Sequence, residues 1–442
     1  MRWPFALPFA GLLLSIALGP LLFPKLWHTH YGKIAAAWSI LTLASIGWFA
    51  GGAAMSAAFI HAMLAEYLSF IVLLFALYTV AGGILVSGDI EGTPWNNAAI
   101  LALGTAIASI VGTTGAAMIL VRPLLRANMS RRHNSHVVIF FIIMVANVGG
   151  ALSPLGDPPL FVGFLHGVDF FWTTRNLWIQ TTVVALLLLS MFVALDLWRF
   201  RGEPTAVTAA PSEPIRIRGL INLLLIAAII GCILGSASWR PGIAFDIAGT
   251  KVELQNLLRD ALLVLIALLS LWLTPDEHRE ANGFTWEPIR EVAKLFAGIF
   301  TAIIPVLAML DAGRNGAFGL LLTAVTARDG SPHQVAYFWY TGLMSAFLDN
   351  APTYLLFFEL AGGDAHALMG EYSGTLAAIS MGAVYMGALT YIGNAPNFMV
   401  AAIAIERGVK MPSFFGYLLW ASAILIPLFL LLTLLPIAPV LR

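Results

Sequence analysis

The chain has 442 residues, of which 60% are hydrophobic and only 10% charged, against about 25% charged in a soluble domain. So few charges make a surface for lipid, and a net charge of zero argues against a nucleic-acid partner or a polybasic surface. Cys232 is the single cysteine, which excludes a disulfide framework and a cysteine metal cluster.

Apolar runs of membrane-spanning length, about 20 residues for a hydrocarbon core of about 30 Å, recur along the whole chain. The first, "FALPFAGLLLSIALGPLLF", follows a single basic residue, Arg2, and has no small-x-small cleavage pattern. It reads as a helix over residues 5–23, not as a removable leader. Spans follow at 34–54 and 58–86, then the polar turn "SGDIEGTPWNN". Residues 98–125 are apolar but interrupted by "GTTG", and the basic loop "RANMSRRHNSH" comes next. A segment broken by "GGALSPLGDPPL" occupies 137–166, followed by an uninterrupted span at 176–198. The hydrophilic stretch 199–218, rich in Pro, Ala, Ser and Thr, reads as a linker between an N-terminal half, 1–198, and a C-terminal half, 219–442. The second half has the same order of elements. Spans lie near 220–239, 257–274 and 293–310, then an interrupted stretch at 334–361, a broken segment at 376–405 and a last span at 414–438. The loop "TPDEHREANGFTWEPIREV" is amphipathic and is expected at the membrane interface.

The halves also match residue by residue. "GALSPLGDPPLF" (150–161) aligns with "GALTYIGNAPNF" (387–398), with Ser153 opposite Thr390 and Asp157 opposite Asn394. A similar offset sets "VGTTGAAMIL" (111–120) against "LDNAPTYLL" (348–356). The arms of the interrupted stretches, about 14 residues each, rise only about 21 Å. They are too short to cross, so each stretch reads as a re-entrant hairpin with its polar tip near mid-membrane. That leaves an odd number of crossings per half, and the second half must be inverted relative to the first. The expected fold is therefore an all-α polytopic membrane protein. It has two inverted repeats, each of about five transmembrane helices, a re-entrant hairpin and one broken helix. Basic residues such as Lys25, Lys33, Arg126, Arg131, Arg132 and Arg199 gather on the linker side. The linker is thus expected to face the cytoplasm and both termini the other side.

Unpaired backbone at membrane depth is tolerated only inside protein or along a polar cavity. Paired breaks at matching positions of two repeats point to a transporter's midplane site. A carboxylate there costs about 2.5–3.5 kcal/mol on insertion scales and needs a cation, a proton or a donor. Asp157 in the first break and Asp349 at the second hairpin tip are the two such groups. Thr113, Thr114, Asn147, Ser153, Asn350, Thr353, Thr390 and Asn394 supply oxygen and amide ligands around them, which suits a small hard cation. The plain structural readings are a back-bond to the residue's own helix for each Ser or Thr and a half-helix cap for Asp349. Glu66 lies near the outer end of the third span and Glu359 near an interface, and Arg122 in the first hairpin is placed to snorkel toward the basic side. The histidines show no HExxH spacing, and no cofactor motif is present.

"ANVGGALSPLGDPPLFVGFL" and "SAFLDNAPTYLLFF" resemble the ion transporter superfamily, closest to sodium:proton antiporters of the D type and the citrate-transporter family grouped beside them. The resemblance covers nearly the whole chain. It implies a multi-pass protein of the cell (inner) membrane, a homodimer, and transport in place of enzymatic catalysis. The superfamily's carboxylate carriers have Ser-Asn-Thr at both hairpin tips, whereas this chain has Thr113-Thr114-Gly115 and Asp349-Asn350-Ala351-Pro352-Thr353. The leading expectation is antiport of sodium or lithium against protons, with Asp157 and Asp349 binding metal and proton in turn. The alternative is cation-coupled carriage of citrate or a related dicarboxylate, with the aspartates holding only the coupling ion.

Overall fold

The computed structural model describes residues 3–203, 213–310, 313, 316–327 and 329–434. The linker residues 204–212 lie outside the described residues. The chain is an all-α polytopic membrane protein. Among the described residues, nine helices are long and apolar enough to cross a membrane, or ten when one bent pair counts as a span.

Helix α1 (Leu7–Leu22) passes through the single residue Phe23 into α2 (Pro24–Ala50). Residues 24–33, expected as a loop, are thus helical, because Pro24 at the first helical position starts α2 at once. The third span is α3 (Gly52–His61), a π segment (Ala62–Tyr67) and α4 (Leu68–Gly82). Strand β1 (Leu85–Ser87) follows, then the first hairpin, α5 (Pro94–Val111) and α6 (Thr113–Ala127), split at Gly112. Arm α5 is longer than its sequence suggested, because Thr93 caps it early, accepting from Asn96 N. The first broken span is α7 (Ser135–Met144) and α8 (Pro158–Leu165), and α9 (Trp172–Phe200) ends the half.

Part of the expected linker pairs with the first half. Strand β2 (Arg216–Arg218) pairs antiparallel with β1, and Asp89 and Glu213 bond across the same junction. Helix α10 (Ile221–Ser238) leads to a hairpin of β3 (Ala244–Ile247) and β4 (Thr250–Glu253), then α11 (Leu254–Leu273) and α12 (Asp276–Ala281). The span expected at 293–310 begins earlier, at α13 (Glu287–Ala302), and bends by 40° into α14 (Ile304–Leu310). Pro305 explains the bend, since it removes an amide donor and its ring clashes with the preceding turn. After α15 (Gly319–Ala324), the second hairpin is α16 (Gln334–Phe347) and α17 (Asn350–Leu360). Helix α18 (Ala365–Met369) precedes the second broken span, α19 (Ser373–Met386) and α20 (Ala395–Glu406), and α21 (Phe414–Leu434) closes the described chain.

Helix α9 fixes where the two hairpin mouths lie. At its start, Trp172 Nε1 donates to Met369 O, beside the second hairpin. Near its end, buried Asp196 pairs with Arg131, accepts from Asn97 Nδ2 at 3.1 Å, and lies 2.8 Å from His136 Nε2. Those partners sit at the mouth of the first hairpin, where Asn97 of α5 and Asn128 beyond α6 also bond to each other at 2.7 and 2.9 Å. At 1.5 Å per residue, the helix between these contacts is about 36 Å long. The hairpins therefore enter from opposite faces, and their tips meet in between.

Candidate functional site

Both breaks have the same local build. Ser153 Oγ donates to Ser109 O and Thr390 Oγ1 to Ala346 O, each tying the loop to the neighbouring hairpin. A Cβ on Gly156 would lie 2.1 Å from Gly150 O, and one on Gly393 would lie 2.5 Å from Gly387 O. Each loop folds on itself so tightly that only glycine fits. At the first hairpin tip, Gly112 takes φ +81°, open to glycine at little cost.

Four half-helices begin at the resulting centre: α6, α8, α17 and α20. Asp157 occupies the cap position of α8, yet its carboxylate makes no bond to that helix. It accepts instead from Thr113 Oγ1 at 3.1 Å, Asn350 Nδ2 at 2.6 Å and Asn394 Nδ2 at 2.9 Å. Thr113 and Asn350 open α6 and α17, and Asn394 occupies the cap position of α20 without a side-chain bond to that helix. Asp157 is 1% exposed, and no Lys, Arg or His is among its hydrogen-bond partners. The positive ends of four half-helices and three neutral donors surround the carboxylate, and no cationic side chain bonds to it.

The other expected residues fall into layers around it. Asn147 stands one bond away, its Oδ1 3.3 Å from Asn394 Nδ2 and its Nδ2 donating to Asn397 Oδ1 at 2.7 Å. Asp349 lines the same cavity as Asp157 and Thr114, and it also caps α17, accepting from Ala351 N at 3.1 Å. Ser153 and Thr390 spend their hydroxyls on backbone, as described. The Thr353 hydroxyl donates to Asp349 O at 2.9 Å within its own helix and does not line that cavity. Asn397 went unnoticed in the sequence. Its Nδ2 holds Gly387 O and Thr390 O at 2.8 and 2.9 Å, and the clue was an amide where the first repeat has Leu160.

The site opens into a cavity of about 470 Å³ that reaches Arg122, Glu287, Glu291 and Glu406 on the linker face. Arg122 therefore belongs to the cavity wall, where it donates to Gly283 O at 3.3 Å. Toward the other face the way is shut by α8 packed on α17. A Cβ on Gly163 would lie 2.4 Å from Tyr354 Oη.

Two opposed hairpins, two broken spans and a polar centre reached from one face define a multi-pass membrane transport protein. The chain belongs to the family whose description reads "Putative citrate transport", the model of which matches residues 1–437. It is similar to an uncharacterized transporter of Mycobacterium bovis, at 24% identity over 73% of this chain and 72% of that protein. An uncharacterized transporter of Mycobacterium tuberculosis matches with the same identity and coverage.

Proposed function

We propose that this protein is a secondary antiporter exchanging sodium or lithium for protons, with Asp157 as the shared site and Asp349 beside it. The observation that carries the reading is Asp157 itself, a fully buried carboxylate with neutral donors only. Such a group is satisfied in the membrane by a cation or by a proton, one displacing the other. The cavity leading to it favours cations. Among the described residues that line it, Asp157, Asp349, Glu287, Glu291 and Glu406 face only Arg122 and His28.

The family description supports a second reading, cation-coupled transport of citrate or a dicarboxylate. Four helix N-termini would receive a substrate carboxylate well. Here Asp157 already fills that place, so a carried acid would have to bring its own cations. The two halves then work as inverted repeats in a homodimer in the inner membrane.

Purified protein in vesicles with an internal pH dye, challenged with sodium, lithium and then citrate, tests both. Sodium alone should move protons. A pH change that needs citrate, with none from sodium, would replace the first reading by the second.

A further inference from the structure

A second cavity, of about 420 Å³, lies toward the face opposite the linker. Its walls are α3 with the π segment, the turn between β3 and β4, and the bend between α13 and α14. Glu66 projects into it from the π segment. Such one-turn bulges are frequent at functional sites. The Glu66 Oε2 atom is buried with no hydrogen-bond partner. An unsatisfied buried oxygen of this kind is costly.

His166 and Glu359 lie within electrostatic range of Glu66, and His61 lines the same cavity. His166 follows the last residue of α8, and its Nδ1 lies 2.9 Å from Val162 O. Glu359 is in the last turn of α17. The half-helix that begins at Asp157 and the one that begins at Asp349 thus each end with a group within electrostatic range of Glu66. Between the two cavities stands an aromatic stack. Phe70 lies 4.6 Å from Phe296, 5.7 Å from Phe300 and 6.3 Å from Phe161 between ring centroids. Phe161 and Phe296 line the first cavity and Phe300 the second. The stack is apolar, so a proton crosses it only on a carrier group.

We propose that Glu66 is the proton station of the face opposite the linker. Its carboxylate takes the proton released by the midplane aspartates and passes it to water in the second cavity, or runs the same transfer in reverse. The inference rests on the antiport reading and adds to it the group that serves this face.

The test uses the full protein in vesicles and compares two exchanges. Sodium:proton exchange is followed with an internal pH dye, and sodium:sodium exchange with radioactive sodium. The Glu66→Gln variant should slow the first at least tenfold and leave the second at the wild-type rate, since sodium:sodium exchange moves no proton. Glu66→Asp should recover part of the loss. Normal sodium:proton exchange in Glu66→Gln, or equal loss of both exchanges, would overturn the station and leave the antiport reading untouched. A wild type that moves no protons with sodium would sink the antiport reading and the station together.

Discussion

Asp157 Oδ1 accepts a hydrogen bond from Asn394 Nδ2 at 2.9 Å, across 237 residues of sequence, and the two are counterparts in the repeat. The same separation relates Thr113 to Asn350, the two other donors to Asp157. The site thus sits where the repeats meet, and Asp157 accepts from its own mate and from both members of a second mated pair. Symmetry would give two carboxylates or two amides at 157 and 394. The chain has one of each, and the amide donates to the acid.

This asymmetry makes Asp157 the group whose charge matters most. Asp157→Asn should abolish sodium-driven proton movement in vesicles while the protein still elutes as a folded species, and Asp349→Asn should do the same. In the wild type, sodium and protons compete for one carboxylate. Half-saturating sodium should therefore climb as pH falls, toward about tenfold per pH unit once protons win. Activity should rise with pH through the neutral range. Robust exchange in both variants would leave Asp157 with a structural role only.

The two hairpin threonines should behave differently, although the sequence treats them alike. Thr113 donates to Asp157, and a hydrogen bond to a charged group contributes about 1.5–3 kcal/mol. Thr113→Ala should raise half-saturating sodium about 10- to 100-fold in radioactive sodium uptake. The Thr353 hydroxyl is bound within its own helix, so Thr353→Ala should stay near wild type. A larger effect at 353 than at 113 would contradict the geometry.

Gly156 tests the folding of the break. A methyl group there would sit 2.1 Å from the carbonyl oxygen of Gly150, and backbone cannot swing aside as a long side chain can. Gly156→Ala should destabilise by at least the roughly 1–3 kcal/mol typical of overpacking. The change should appear as a lower unfolding temperature in detergent. Gly231→Ala, where nothing lies within 4 Å, should unfold with the wild type.

The crossing of the chain can be read with thiol reagents after Cys232 is replaced. Single cysteines at Arg201, next to the first hairpin's mouth, and at Ser331, before the second hairpin, are both in exposed positions. An impermeant reagent should label them from opposite sides of the membrane, with Arg201→Cys reached from the cytoplasm. Labelling from one side alone would rule out the opposed hairpins.

Much of this architecture was legible because it depends on local chemistry. Long apolar runs must be helices in lipid, since no water is there to bond the backbone. Gly150, Gly156 and Pro158, like Gly393 and Pro396, break a helix wherever they occur, so the paired breaks and the buried Asp157 could be read directly. Pro305 carried the same kind of signal for the bend after α13, although 293–310 reads in the sequence as one unbroken span. The π segment that turns Glu66 toward its cavity left no comparable mark, and β2 formed within the expected linker because β1, far back in the chain, offered a partner. What tertiary structure alone decided was how each polar group spends its hydrogen bonds. Thr113 and Thr353 have equal hydroxyls, yet one faces a carboxylate 44 residues away and the other its own helix four residues back. Asn350 and Asn394 reach Asp157 from 193 and 237 residues away. Backbone breaks follow from the residue and its neighbours. Pairing through space depends on which helices pack together, and that is settled by the whole chain at once.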